Sequence, residues 1–193
     1  MTTREFYISV DVETDGPIPS VNSMLGIGAV AFDTHEKLLS RFAVNLLPLE
    51  DAVQNPATML WWERHLIAWS YLQKNCVPAD KAMADFHHWI MTISKQEDAK
   101  PVCVCYPSGF DFTFIYWYLM RFTEHSPFGF QCIDLKTLAY AALGKSFKDV
   151  SKRNMPLKWS LGNRKHSHIA VEDAEEQGYL FFAIRNEIEN MRY

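Results

Sequence analysis

With 193 residues, 48% of them apolar, the chain has room for one domain with a full core and little more. A net charge of −4 argues against a sequence-independent nucleic-acid coat, which would be strongly basic, but not against a site whose carboxylates are filled by cations. No apolar run approaches the roughly 18 residues of a membrane span, and the opening MTTREFYISV lacks the basic, apolar, small order of a secretory leader, so a cytoplasmic location is expected.

Three strands open the chain, at residues 6–12, 25–33 and 38–46, rich in β-branched and aromatic side chains. Gly16-Pro17-Ile18-Pro19-Ser20 between the first two cannot extend a strand and reads as a loop. Asn55-Pro56 is a helix start, predicting a helix to about residue 74, and a second helix runs from about 78 to 94. A short apolar strand at 101–106, a helix at 112–121 and a strand at 130–133 follow. Asp134 then caps a helix over 135–143. Residues 144–167 are irregular and basic, and a long helix occupies about 170–191. This order predicts a single α/β domain over 1–193: a mixed sheet of about five strands, the first three antiparallel, flanked by helices.

The cysteines Cys76, Cys103, Cys105 and Cys132 match no Cys-x2-Cys zinc pattern. Cys103 and Cys105 share one face of a predicted strand and read as core packing, and no disulfide is expected in a reducing compartment.

Three local patterns involve titratable residues. Asp11 and Glu13 are two apart at the end of an apolar strand, so they project on one face. Two close carboxylates repel, and a hard divalent cation would relieve them; solvated acids at a strand end fit the spacing as well. Asp111 follows a strand and a Gly at the start of a helix, a position that also suits ordinary dipole pairing. His168 precedes Asp173 by five residues, with Asp173 on the helical face of Gln177 and Leu180.

Taken together, these residues resemble the DEDDh exonucleases of the DnaQ-like, ribonuclease-T-like superfamily. Asp11-Val12-Glu13-Thr14-Asp15-Gly16 resembles the first exonuclease motif, and Gly26-Ile27-Gly28-Ala29-Val30-Ala31-Phe32 the strand after it. Gly109-Phe110-Asp111 is similar to the second motif, and His168-x4-Asp173 to the third motif of the histidine-containing branch. The sequence departs from the pattern at Asp15, at Ser108 and in a longer 16–24 loop, none of which removes a ligand. Asn55-Pro56-Ala57-Thr58 with Trp61-Trp62 resembles a small bacterial branch of exoribonucleases.

The resemblance implies a ribonuclease-H-like fold and a metal-dependent 3′→5′ exonuclease. Two Mg²⁺ or Mn²⁺ ions would be held by Asp11, Glu13, Asp111 and Asp173, with Asp11 bridging and His168 as general base. His166 competes for that role but has the wrong spacing to Asp173. The implied substrate is the 3′ end of single-stranded DNA or RNA. Its contacts would come from backbone at Thr14 and Asp15, an apolar wedge from Met24 or Leu25, and stacking on Phe110 or Trp61. The basic segment 145–165, including Arg164 and Lys165, would hold backbone phosphates. Many members are homodimers, and the aromatic-rich composition permits that here. The alternative is a nucleic-acid-binding or polymerase-associated subunit that kept the fold and lost catalysis; it predicts a missing catalytic residue, and all five are present.

Overall fold

The computed structural model describes residues 4–159 and 167–191. Five strands form one sheet: β1 (Glu5–Thr14), β2 (Met24–Phe32), β3 (Leu38–Asn45), β4 (Lys100–Cys105) and β5 (Ile133–Asp134), in the order β3-β2-β1-β4-β5. The first three pair antiparallel, while β4 joins β1 and β5 joins β4 in parallel. This is the mixed sheet with an antiparallel start that the sequence predicts. Six helices accompany it among the described residues: α1 (Pro56–Trp62), α2 (Leu66–Leu72), α3 (Ala79–Glu97), α4 (Ser108–Thr123), α5 (Leu135–Leu143) and α6 (Ala170–Asn190). None is long and apolar enough to cross a membrane.

Alternation along β1 divides the interior. Phe6, Ile8, Val10 and Val12 enter one core with α3 and α4. On the opposite face Tyr7 meets Phe181 and Phe182 of α6, ring centroids 4.7 and 5.8 Å away. With helices on both sides, β1 is a nearly continuous buried run, so its two acids stand out at its end.

Short polar contacts set the helix starts. The Asn55 side chain accepts the Thr58 N–H at 3.1 Å, with Pro56 in the first turn. Asp134 accepts the Thr137 N–H at 2.7 Å as the cap of α5, and its other oxygen accepts the Ser108 N–H at 2.8 Å, so one carboxylate fixes the starts of both α4 and α5.

The helix expected over 56–74 breaks into α1 and α2 at residues 63–65. Trp62, Ala68 and Leu72 all pack into one cluster with Leu25. On one straight helix Trp62 would face about 120° away from Ala68 and about 80° from Leu72. The corner brings all three to the sheet, and the Trp62 indole N–H donates to the Thr14 carbonyl at 2.9 Å.

Helix α6 lies unusually close to β2. A Cβ at Gly28 would fall 2.1 Å from the Val171 backbone nitrogen, and one at Gly178 would fall 2.3 Å from the Phe32 ring. Arg41 of β3 holds the outer side of α6 with a two-pronged pair to Glu175, at 2.8 and 3.0 Å. Gly28→Ala is therefore expected to push the start of α6 off the sheet, costing at least about 1–3 kcal/mol as overpacking. Gly109→Ala, where nothing lies within 4 Å, serves as the control. Thermal melts of the two variants check this; equal melting temperatures would refute the close-approach account.

Candidate active site

Four carboxylates from three elements meet at one end of the sheet. Asp11 and Glu13 come from the end of β1, Asp111 from the first turn of α4, and Asp173 from the first turn of α6. All are buried, at 7%, 8%, 3% and 2% exposure, so water solvates none of them fully. Gly28 pairs directly with Asp11 across β1 and β2. The residue that admits the start of α6 thus stands beside Asp11, and Asp173 arrives with that helix start.

The five-residue spacing from His168 to Asp173 has a physical cause. The Asp173 carboxylate accepts the backbone N–H of Ser167 at 3.1 Å and of His168 at 2.9 Å, clamping the chain just before α6. His168 takes a left-handed backbone, φ 56°, which turns its side chain back toward the acids. Donor atoms of Glu13, His168 and Asp173 all lie within 4.8 Å of one another. The His168 ring packs edge-on against Trp61 and His65, both centroids 4.7 Å away, while Trp61 and His65 stack at 3.9 Å. A cleft of about 480 Å³ opens there, lined by Glu63, Arg64, His65, Leu66, Ser167 and His168.

The electrostatics follow from this crowding. Burial first, then the charges of Asp11, Asp173 and Asp111, push the Glu13 carboxyl well above the usual carboxylate range. Burial and Asp11 do the same to Asp111, partly opposed by a hydrogen bond from the Val12 backbone and by the Lys152 charge. One oxygen of Asp111 is buried without a hydrogen-bond partner among the described residues. Hard oxygen donors, mutual repulsion and an orphaned buried oxygen together fit a hard divalent cation such as Mg²⁺ or Mn²⁺.

Gln177, one turn beyond Asp173 and fully buried, donates its amide N–H to Asp11 at 2.6 Å. It orients that carboxylate without adding charge. Its place on the inward face of the last helix is visible in the sequence, but its partner, 166 positions away, is not.

The residues expected to touch substrate divide. Trp61 sits beside His168, 37% exposed, and Phe110 packs partly buried near Phe114. Met24 and Leu25 do not present the expected apolar wedge. They are 0% and 2% exposed, Met24 in the α3–α4 core and Leu25 under α1 and α2. Backbone at Thr14 and Asp15 is committed elsewhere: the Thr14 carbonyl to Trp62, and Asp15 to Ser23 and Asn55. The Asp15 carboxylate also accepts the Ser23 N–H at 2.6 Å and braces the 16–22 loop. Arg164, Lys165 and the competitor His166 lie outside the described residues. Two cations of the basic segment pair with α6 instead, Lys152 with Glu176 at 3.6 Å and Lys158 with Glu187 at 2.5 Å. His65 packs on the candidate base, brought there by the break between α1 and α2.

Three cysteines lie beside Asp111. Cys103 and Cys105 of β4 and Cys132, just before β5, bring their sulfurs within 4.8 Å of one another. Hydrogen bonds from Cys103 and Cys105 push the Cys132 thiol down to about 5, while burial raises the other two. The charge of Asp111 acts on Cys103, and that of Cys132 acts on Asp111.

The five-stranded mixed sheet with its flanking helices is a ribonuclease-H-like fold, and a buried carboxylate cluster sits at its end. Solved structures share the fold: the zinc-bound form of Escherichia coli exonuclease I in complex with single-stranded DNA (TM-score 0.68, 16% identity) is matched over 98% of this chain and 42% of that one. The nuclease domain of 3′hExo, a DEDDh family member bound to rAMP (TM-score 0.65, 11% identity), is matched over 97% of this chain and 94% of that one. Escherichia coli 3′-5′ DNA exonuclease Cap18 is 33% identical over 182 residues, 93% of this chain and 91% of that protein. The 3′-5′ exoribonuclease Rv2179c-like domain model matches residues 6–184, and the chain belongs to that family. It is accordingly a 3′→5′ exonuclease.

Acids held above their ordinary range favour the fold while protonated and lose that contribution as pH rises through the raised values. Without metal, Asp111→Asn should therefore melt higher than wild type, by a margin that widens from mildly acidic to mildly alkaline buffer. The amide keeps an acceptor for the Val12 N–H and removes the repelled charge. Mn²⁺ should raise the melting temperature of wild type more than that of the variant. A variant that melts lower in EDTA at every pH would remove the repulsion argument.

Proposed function

We propose that the protein removes nucleoside 5′-monophosphates from the 3′ end of single-stranded nucleic acid, with two Mg²⁺ or Mn²⁺ ions held by Asp11, Glu13, Asp111 and Asp173 and with His168 as general base. The observation that carries this reading is the convergence of four buried acids with His168 clamped beside them by Asp173. Bound divalent ions supply Lewis-acid stabilisation of the charge that builds on the scissile phosphate.

The chain's own residues do the rest. Gln177 fixes the Asp11 carboxylate, and Asp173 holds both a ligand position and the backbone of the base. His168 takes a proton from the attacking water as its oxygen bonds to phosphorus. The bond to the 3′ oxygen of the preceding nucleotide breaks, leaving a 5′-monophosphate and a strand one unit shorter. Trp61 and His65, against one side of the imidazole, limit its rotation and keep its reactive nitrogen aimed inward.

Single strands are favoured by a groove of about 690 Å³ along the outer face of α4, the helix that buries Asp111 on its opposite side. Its lining includes Pro19, Phe112, Tyr116, Trp117, Arg121 and Phe130. Phe130 is 79% exposed, and the Arg121 guanidinium lies 5.5 Å from the Trp117 ring. Aromatic faces beside a cation suit unpaired bases, each stacking contact being worth about 1–3 kcal/mol. The family is described by exoribonuclease activity and the Cap18 relative by DNA exonuclease activity, so both sugars belong in the test.

With Mg²⁺ or Mn²⁺, 5′-labelled DNA and RNA strands of one sequence should give ladders that shorten from the 3′ end. EDTA or Asp11→Asn should abolish them, and the faster ladder reads the sugar preference. His168→Ala should lower kcat by about 10²–10⁴ with little change in KM. A wild-type rate in EDTA would sink the metal-dependent reading, and equal losses in kcat and binding would sink the base assignment. Phe130→Ala and Tyr116→Ala should raise KM for long strands but not for dinucleotides; an equal effect on both would place the strand elsewhere.

A further inference from the structure

Outside the carboxylate cluster, one other group of metal-ligating side chains converges among the described residues: Cys103, Cys105 and Cys132. The topology explains why. Cys103 and Cys105 are two apart on β4, so they share a face. β5 runs parallel to β4 with Val104 opposite Ile133, so Cys132, one step earlier, comes level with Cys103 on the same side. The three sulfurs, 29 positions apart at the extremes of number, meet at the sheet edge that feeds α4.

We infer that Cys103, Cys105 and Cys132 form a binding site for one thiophilic metal ion, Zn²⁺ in the first instance, separate from the carboxylate site. The geometry supports it in three ways. A zinc–sulfur bond of about 2.3 Å at the tetrahedral angle sets two thiolates about 3.75 Å apart; the Cys103 and Cys105 sulfurs are 3.6 Å apart. The third sulfur closes the triangle within 4.8 Å of both. Buried cysteines that merely fill space need only apolar neighbours, whereas here three sulfurs face each other.

Donor softness keeps the two sites apart. Thiolates select Zn²⁺, its heavier congener Cd²⁺ or Cu⁺ over Mg²⁺ and Mn²⁺, which prefer the oxygen cluster. Cys103 and Cys105 are buried at 1% and 0% exposure, and Cys132 is half-buried, so an ion enters past Cys132. The occupied site lies against Asp111, whose charge already acts on Cys103. Loading it alters the field at one carboxylate of the catalytic cluster.

The test uses the reduced full-length protein and Cd²⁺ alone, read by the ultraviolet thiolate-to-metal charge-transfer band. Wild type should develop the band to saturation at one equivalent. Asp11→Asn, impaired at the carboxylates, and Cys76→Ser, altered at a distant thiol, should develop it fully, and Cys132→Ala should lose most of it. Zn²⁺ added first should block the band and protect Cys132 of the wild type from alkylation, a readout that needs no variant to fold. Failure of the band in wild type, its survival in Cys132→Ala, or its loss in Asp11→Asn would each overturn the assignment. None of these outcomes bears on the exonuclease reading, which is judged by the ladder.

Discussion

Four carboxylates buried at one end of a sheet repel each other, and the architecture around them makes sense as a way of holding them there. The same charges solvated at a surface would be unremarkable. Packed at the junction of β1, α4 and α6, they raise Glu13 and Asp111 well above the ordinary range and leave an oxygen of Asp111 unpartnered among the described residues. A fold optimised only for stability would replace one of them with an amide or an apolar residue. That all four persist marks the site as built for a positive charge supplied from outside the chain.

Holding repelled groups in place requires a stiff frame. β1 is buried on both faces, and its rigidity fixes Asp11 and Glu13. α4 is tied at its start by Asp134 and along its length by Tyr118, whose hydroxyl accepts the Met24 N–H at 2.7 Å. α6 is brought to the sheet through the missing side chains of Gly28 and Gly178 and held from outside by Arg41. These contacts lie on different elements, so β1, α4 and α6 each bring their acids to the cluster on a separate support.

Much of this was legible in the sequence. The strand alternation at Asp11 and Glu13, the capping Asp134 and the last helix are local patterns, and local patterns survive folding. The illegible parts depend on partners far apart in the chain. Nothing local says that a helix starting at Pro56 must turn at residue 63; the reason is that Trp62, Ala68 and Leu72 must all reach Leu25. The same corner delivers His65 to His168. The family resemblance implies a wedge from Met24 or Leu25, yet both lie in β2, Met24 facing the α3–α4 core and Leu25 the α1–α2 cluster. The cysteines match no linear zinc spacing because their convergence is a product of strand register, which pairs β4 with a strand almost 30 residues later.

The His168 clamp shows why spacing was the most informative signal of all. Asp173 accepts two backbone N–H groups from the segment that carries the histidine, while its carboxylate also belongs to the acid cluster. The candidate base is therefore positioned by a candidate ligand, through a loop whose length is set by reaching back from the first turn of a helix to the residues just before it. Shortening or lengthening that interval by one residue would rotate Asp173 about 100° around α6 relative to the clamped segment, away from either the acids or the histidine. Both tasks can be met by one carboxylate only at this interval. A spacing that serves two geometric conditions at once is constrained more tightly than any single residue type in the site, and it is readable without knowing where the other acids lie.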